Sequence, residues 1–505
     1  MASAAAAGSR LDRDRVFGGL RGSSGRLGRR SVSEVLAPWH WRSLPLGGRS
    51  GSDIFEALFR PRDPQAIAVL LESPIAADPS QRNPHARYSL CGGPPRQSRG
   101  QAQVWVPPVG QILPTLRAQL QRASGAALEP EVADLPFTGG WLGWLGYDLA
   151  WEIERLPSLN PDPLPFPVAF WYVPDCFAVL DHWEQTLWLA ASDPTALGDL
   201  EEKLARSPEA PAPAPLEPHP VTFQTEQSAY EAAVRQAKAH IQAGDIFQAN
   251  LTLRFETATA LRPWALYRLL QQINPSPFAS YWQTPWGCVV SGSPERLVQR
   301  QGSIGQTRPI AGTRPRGQTP TDDRSKAEEL LSNRKEQAEH IMLVDLERND
   351  LGRVCTWGSV EVDELLTIER YSHVMHLVSN VRGTLQPDCD SIDLVRALFP
   401  GGTITGCPKV RCMEIIETLE PVRRSLFYGS CGYLDQRGNL DLNILIRTLL
   451  MAPVPDSHLH QVWGQVGAGI VADSNPTLEW QESLQKAKAQ LAALGLVPSQ
   501  VSLGC

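Results

Sequence analysis

Between Pro208 and Pro220 the chain places six prolines in thirteen residues. Each lacks an amide hydrogen and fixes its own φ, so the segment can run neither as a helix nor as a central strand. It is read as a linker or long surface loop. It divides the 505 residues into a region over 46–207 and another over 225–493, each long enough for a sizeable core. Residues 1–30 carry seven arginines against two acids amid Ala, Gly and Ser. That composition suits a transit peptide, a disordered arm or a start placed upstream of the true one, and it lacks the apolar core of a secretory signal. The arm is taken to span 1–45 and to be disordered.

The formal charge of −7 offers no basic surplus for nucleic acid or a membrane surface, so neither is expected as a partner and a small metabolite is. Nine scattered cysteines, never spaced C-x-x-C, indicate no disulfide framework and no zinc site, as in a reducing cytoplasm. No stretch approaches the roughly 20 apolar residues of a membrane-spanning helix.

Strand-like runs such as Ala66–Leu71 and Phe177–Leu180 alternate with Gly/Pro-rich turns before the proline segment, as in mixed α and β structure. Beyond it, residues 225–270 read as helix, strand at Gln248–Thr257, then helix. Residues 280–312 are strand-rich, 324–345 follow one long helical pattern, and 427–450 and 462–472 read as strands. Asn475-Pro476 supplies a cap and an N1 proline for a last helix to about Leu494.

Two pairs of acids stand out. Glu336 and Glu339 on the long helix, and Glu479 and Glu482 on the last one, are spaced i, i+3 and therefore share a helical face. Like charges so placed repel unless a cation lies near, and magnesium is the ion that takes few carboxylates, keeps its waters and binds an anionic substrate. From spacing alone two solvated helix faces are the favoured reading, and spacing does not carry a metal site. Gly467-Ala468-Gly469 lies in a glycine-rich strand whose loose G-x-G-x-x-A match lacks a following βαβ unit. What remains is a backbone near a helix start whose N–H groups can hold a carboxylate. Arg447 ends an apolar run and suits either a bound carboxylate or an internal salt bridge.

Seven ordered blocks then carry a resemblance: Gly244–Leu251, Ser291–Glu295, Thr307–Arg314, Val344–Arg353, Glu369–His376, Phe399–Lys409 and Gly467–Lys486. Over 225–493 the chain resembles the chorismate-binding enzymes, with a looser likeness through Leu70–Ser73, Ala86–Ser89 and Leu135–Gly140. The resemblance implies an α+β fold, a large α/β sandwich of two antiparallel sheets with outer helices. It implies Mg2+ held by Glu339 and Glu482, with Glu336 and Glu479 acting through water. It further implies Glu295 as the general acid for loss of the C4 hydroxyl, His376 beside the leaving group, and Arg447, Gly467, Ala468, Gly469, Thr405 and Lys486 around the substrate, chorismate. The chemistry suits these types, because hydroxide leaves only when protonated.

Members that add water carry a lysine base where this chain has Gln248, so the nucleophile is expected to be ammonia. None of the cysteines sits on a G-x-C-x-G elbow, and a separate glutamine amidotransferase (glutaminase) subunit is implied. Phe247–Asn250, Phe399–Gly406, Gly429–Tyr433 and Leu442–Arg447 look like the aminodeoxychorismate-forming members. Ala311, in the place of a nucleophilic lysine, along with Leu70–Ser73 and Ser372–His376, is shared with the anthranilate-forming ones. The expectation is direct amination to aminodeoxychorismate, with anthranilate formation as runner-up. Because Leu70–Ser73 resembles a tryptophan-binding segment, a third reading is a regulatory protein without catalysis, which the complete acid set disfavours.

Overall fold

Alternation along single strands feeds two different cores. In Ala68–Glu72 the side chains of Ala68 and Leu70 enter one apolar cluster and Val69 enters another, and Val290 and Val289, or Leu449 and Leu450, divide the same way. Strands apolar on both faces must be covered on both. The computed structural model, which describes residues 38–73, 86–123, 129–206, 219–371 and 374–496, shows what covers them.

Twelve of the described strands form one sheet. In spatial order it runs His40–Pro45, Thr186–Ala191, Cys176–Asp181, Tyr88–Gly92, Ala68–Glu72, Phe278–Thr284, Gly287–Ser293, Thr448–Pro453, His460–Ile470, Gln248–Thr259 and Thr222–Phe223, and Gly406–Cys407 also pairs with Gln248–Thr259. Ten others form a second sheet, from Ile310–Pro315 through Val374–Thr384, Ile304–Arg308, Arg296–Gln301, Leu440–Asn443, Ser430–Asp435, Gly140–Leu145 and Ala169–Tyr172 to Val104–Trp105, with Glu361–Arg370 on Val374–Thr384. One core lies between the sheets, where Trp144 meets Trp282 edge to face at 5.8 Å and Phe137 meets Phe177 at 5.0 Å. The other lies between the larger sheet and the helices Gln227–Gln242, Pro263–Ile273, Lys409–Leu419 and Pro476–Ala493. The expected α+β sandwich with outer helices is the observed fold.

Strands from both sides of the proline-rich segment share both sheets: Ala68–Glu72 pairs with Phe278–Thr284, and Gly140–Leu145 with Ser430–Asp435. Most of the segment itself, and residues 1–37, lie outside the described residues. The expected arm to residue 45 is corrected at its end, since His40–Pro45 is the edge strand paired to Thr186–Ala191 and Trp39 is buried. The single helix expected over 324–345 is two, Pro320–Ser332 and Arg334–Gly352. Asn333 separates them and caps the second, its side chain accepting from the Lys335 and Glu336 amides. The last helix begins as expected, with Asn475 accepting from the Thr477 and Leu478 amides and Pro476 at N1. Among the described residues no helix is long and apolar enough to cross a membrane.

The strand Gln248–Thr259 departs from the two-faced apolar pattern. Its Ala249, Leu251, Leu253 and Phe255 enter the helix-side core, whereas the opposite face carries Gln248, Asn250, Thr252 and Arg254. At this end of the sandwich the space between the sheets is polar.

Candidate active site

Polar side chains line this end of the molecule, and the strand edges that frame it are held by buried ion pairs. Arg424 and Glu420 are paired at 2.7 Å. Arg424 donates to the carbonyls of Asn250 (2.6 Å) and Ile404 (2.7 Å), and Glu420 accepts from the Thr252 amide (2.9 Å). The Asn250 amide donates to the Thr405 carbonyl at 2.9 Å. With Asn250 and Thr252 bonded to that side, their cross-strand partners Gly469 and Gly467 must point their own N–H groups the other way. There the neighbouring strand has ended at Thr448, because Arg447 adopts a left-handed φ of 51°. The two glycine amides therefore face an open edge. Glycine is required at 467, where a Cβ would lie 2.3 Å from the Leu251 carbonyl oxygen. The amides belong to strand His460–Ile470 and not to a helix start, so strand termination, not a helix dipole, makes this edge available to an anion.

Arg447 follows a non-strand segment, not an apolar strand as expected, since the preceding strand stops at Asn443. It has no carboxylate partner among the described ion pairs, and burial lowers its pKa. The internal salt bridge that the sequence allowed is thus absent among the described residues. A half-buried guanidinium without an acid is a ready partner for a bound carboxylate. It lines one cavity with His376, Thr313, Tyr371 and Pro294.

His376 is buried, and its Nδ1 lies 2.9 Å from the Thr313 hydroxyl. Burial, with Arg447 nearby, pushes its pKa down to about 4, so the ring is neutral at ordinary pH. Glu295 follows Pro294 and is buried; its carbonyl accepts from the Ile444 amide at 3.0 Å. Burial raises its carboxyl to about 8, the Thr403 hydroxyl and Ile310 amide oppose the rise, and Glu347 adds to it. It is a carboxylic acid at neutral pH, which a merely capped turn would not need.

Glu347 was not singled out from the sequence. It lies on helix Arg334–Gly352, eight residues beyond Glu339, so the helical face that carries the acids continues to it. Buried, with its Oε1 accepting weakly from the Gly402 amide (3.4 Å), it is raised to about 7 by burial against the opposing pull of Lys409. Lys409 is held by Asp350 at 2.6 Å and the Leu398 carbonyl at 2.9 Å, which ties the turn 399–409 to the same helix. Thr405 is spent in that turn: its hydroxyl donates to the Gly401 carbonyl at 2.8 Å.

The four paired acids come near each other from two helices. Burial raises the pKa of Glu339, Lys335 opposes the rise, and Glu336, Glu482 and Glu479 add to it. Glu479 is buried and raised as well, with the Ser474 side chain counteracting. Cationic side chains sit at three of them, Arg314 at Glu336 (3.3 Å), Lys335 at Glu339 (3.7 Å) and Lys486 at Glu482 (2.9 Å). Lys486 also donates to the Gly467 carbonyl at 3.0 Å, joining the acids to the glycine edge. Glu336 is near the 310–315 strand, where a Cβ on Gly312 would lie 2.9 Å from its Oε2. No three His, Cys, Asp or Glu side chains among the described residues are gathered tightly enough to hold a metal as they stand. The donor set is nonetheless oxygen only, as a hard divalent cation prefers, and crowded like charges are what such an ion relieves.

The Leu70–Ser73 segment is elsewhere. Glu72 is buried and accepts from the Ser52 amide and hydroxyl (both 2.7 Å) and the Tyr267 hydroxyl (3.0 Å), and the segment lines a separate cavity with Phe278, Tyr433 and Asn443.

Residues 75–492 match the model of a family described as chorismate binding enzyme. An anthranilate synthase component I-like protein of Synechocystis sp. is 60% identical over 482 residues, 95% of this chain and 96% of its own. Aminodeoxychorismate synthase component 1 of Bacillus subtilis is 45% identical over 380 residues, 73% of this chain and 79% of its own. Among solved structures, anthranilate synthase component I from Streptococcus pneumoniae superposes with a TM-score of 0.67 at 31% identity, covering 81% of this chain and 92% of its own.

Proposed function

The chain belongs to the chorismate-binding enzymes, and from that premise we propose that it replaces the C4 hydroxyl of chorismate with ammonia drawn from a partner glutaminase, giving 4-amino-4-deoxychorismate. The observation that carries the reading is Glu295, a buried carboxyl that burial raises to about 8, adjoining Pro294, which lines the cavity shared by His376 and Arg447. Hydroxide is too poor a leaving group to depart alone. Glu295 gives its proton to the departing oxygen as the C–O bond breaks, so that water leaves, and the ring carbon gains its bond to nitrogen. His376, fixed by Thr313, stays neutral and orients the leaving oxygen without adding a second positive charge beside Arg447. Arg447 and the Gly467 and Gly469 amides hold carboxylate groups of the substrate.

Glu339 and Glu482 would hold Mg2+, with Glu336 and Glu479 behind them through water, and the bound ion would neutralise charge developing on the ring carboxylate. Lys486 ties Glu482 to the Gly467 carbonyl, so the acid helix and the anion-binding edge keep one spacing.

Ammonia comes from outside the chain. All eight described cysteines have thiols raised in pKa, each first by burial, whereas a glutaminase nucleophile needs a lowered one. A second reading, anthranilate formation, is favoured by Ala311 and by the name of the 60% identical relative. The test is the purified chain with chorismate, magnesium and ammonium, products separated and identified. Aminodeoxychorismate is expected, and anthranilate would establish the second reading. With glutamine in place of ammonium the chain alone should give no product until a glutaminase is added; glutamine-driven turnover by the chain alone would sink the separate-subunit reading.

A further inference from the structure

Two carboxamide oxygens on the polar face of Gln248–Thr259 are buried without a hydrogen-bond partner among the described residues: Gln248 Oε1 and Asn250 Oδ1. An unfilled buried acceptor costs stability unless something occupies it, and here two stand on one strand face, two residues apart. Both carboxamides stand beside Gly469. Gln248, only 6% exposed, leans toward Gly469, with Nε2 only 2.6 Å from where a Cβ there would be. Gly469 is the cross-strand partner of Asn250. The backbone of Asn250 is pinned by the Thr405 carbonyl and Arg424. Its Nδ2 donates to the Thr403 carbonyl at 3.2 Å, which commits the nitrogen and leaves Oδ1 as the free end.

We propose that Gln248 Oε1 and Asn250 Oδ1 form the acceptor site that binds ammonia and aims its lone pair at the substrate. The proposal rests on the amination reading above and adds Asn250 to it as a nucleophile-positioning residue. Ammonia has three N–H donors and one lone pair, so a site made of acceptors alone orients it with the lone pair outward. Neither carboxamide is a base, so a water molecule held there would keep its protons and remain a weak nucleophile. Thr403 lies between the two halves of the reaction, its carbonyl holding Asn250 and its side chain near enough to Glu295 to lower its pKa. The nucleophile and the proton donor are thereby set about one turn, Gly401–Thr405.

The experiment uses the full chain with magnesium, chorismate and ammonium. Asn250→Leu should raise the KM for ammonium about tenfold or more, the size of one lost buried hydrogen bond, with the KM for chorismate changed by no more than about threefold. Asn250→Ala, the smaller change should the leucine variant fold poorly, should do the same and also gain turnover with methylamine relative to ammonium, because it opens room beside Gln248. Thermal melts report folding for both. An unchanged ammonium KM in a folded variant, or equal rises for both substrates with a lowered Tm, overturns the ammonia site while leaving amination standing. Absence of ammonium-dependent turnover in the parent chain overturns the amination reading itself.

Discussion

Glu295→Gln should lower ammonium-dependent turnover by about 10²- to 10⁴-fold, the range a positioned general acid supplies, and leave the chain folded. The amide keeps the size and the hydrogen-bonding capacity of the buried side chain but has no proton to give the departing oxygen. The pH dependence follows from the same group. With its carboxyl near 8 the parent should lose turnover as pH rises through that value, once rates are compared at equal free ammonia. The neutral His376, near 4, contributes no limb in that range. Stability moves with the same sign: a carboxyl raised from 4.5 to about 8 on folding contributes stability that is full below about 4.5 and is lost as pH rises to 8. Melting temperatures from pH 5 to 8.5 should therefore fall more steeply for the parent than for Glu295→Gln. A variant with turnover within threefold of the parent, or an identical alkaline limb, removes Glu295 from the acid role. Glu347 adds to the rise at Glu295, so its own titration will shape the observed limb.

What the sequence made legible, and what it did not, divides along the range of the interaction involved. One local signal held, since Asn475-Pro476 capped the last helix where expected. The break at Asn333 was also written locally, as an asparagine three residues before Glu336, but the apolar pattern runs on through both helices and masks it. His40–Pro45 looked like part of an arginine-rich arm because an edge strand needs little apolar content of its own; its pairing to Thr186–Ala191 is a contact across about 150 residues. Glu347 required following one helical face past the first acid pair. That Arg447 and the Asn250 oxygen find no partner among the described residues has no local signature at all, since each depends on which neighbours fail to arrive. Gly467 and Gly469 were marked correctly as a glycine-rich strand, while their open edge arises from a residue twenty positions away, where the left-handed turn at Arg447 stops the adjoining strand.

Glu339→Gln and Glu482→Gln should each lower turnover by orders of magnitude and raise the magnesium needed for half-maximal rate, since each removes a charge from a hard-cation site that has few to spare. Activity alone does not separate a ligand from a structural acid, but stability without the metal does. Glu339 is disfavoured as a carboxylate first by burial, against the pull of Lys335, and then by Glu336, Glu482 and Glu479. Removing one of these like charges should leave the metal-free protein about as stable as the parent, because the exposed pair lost with it, such as Lys486 with Glu482, is worth little. Magnesium should raise the Tm of the parent, as any ligand that binds only the folded state does, and should raise that of either variant much less. Two results would break the assignment: no magnesium-dependent shift in the parent, or near-parental turnover by either variant at limiting magnesium. Either would return the four acids to solvated helix faces and leave the charge on the substrate to Arg447, Lys486 and the glycine edge.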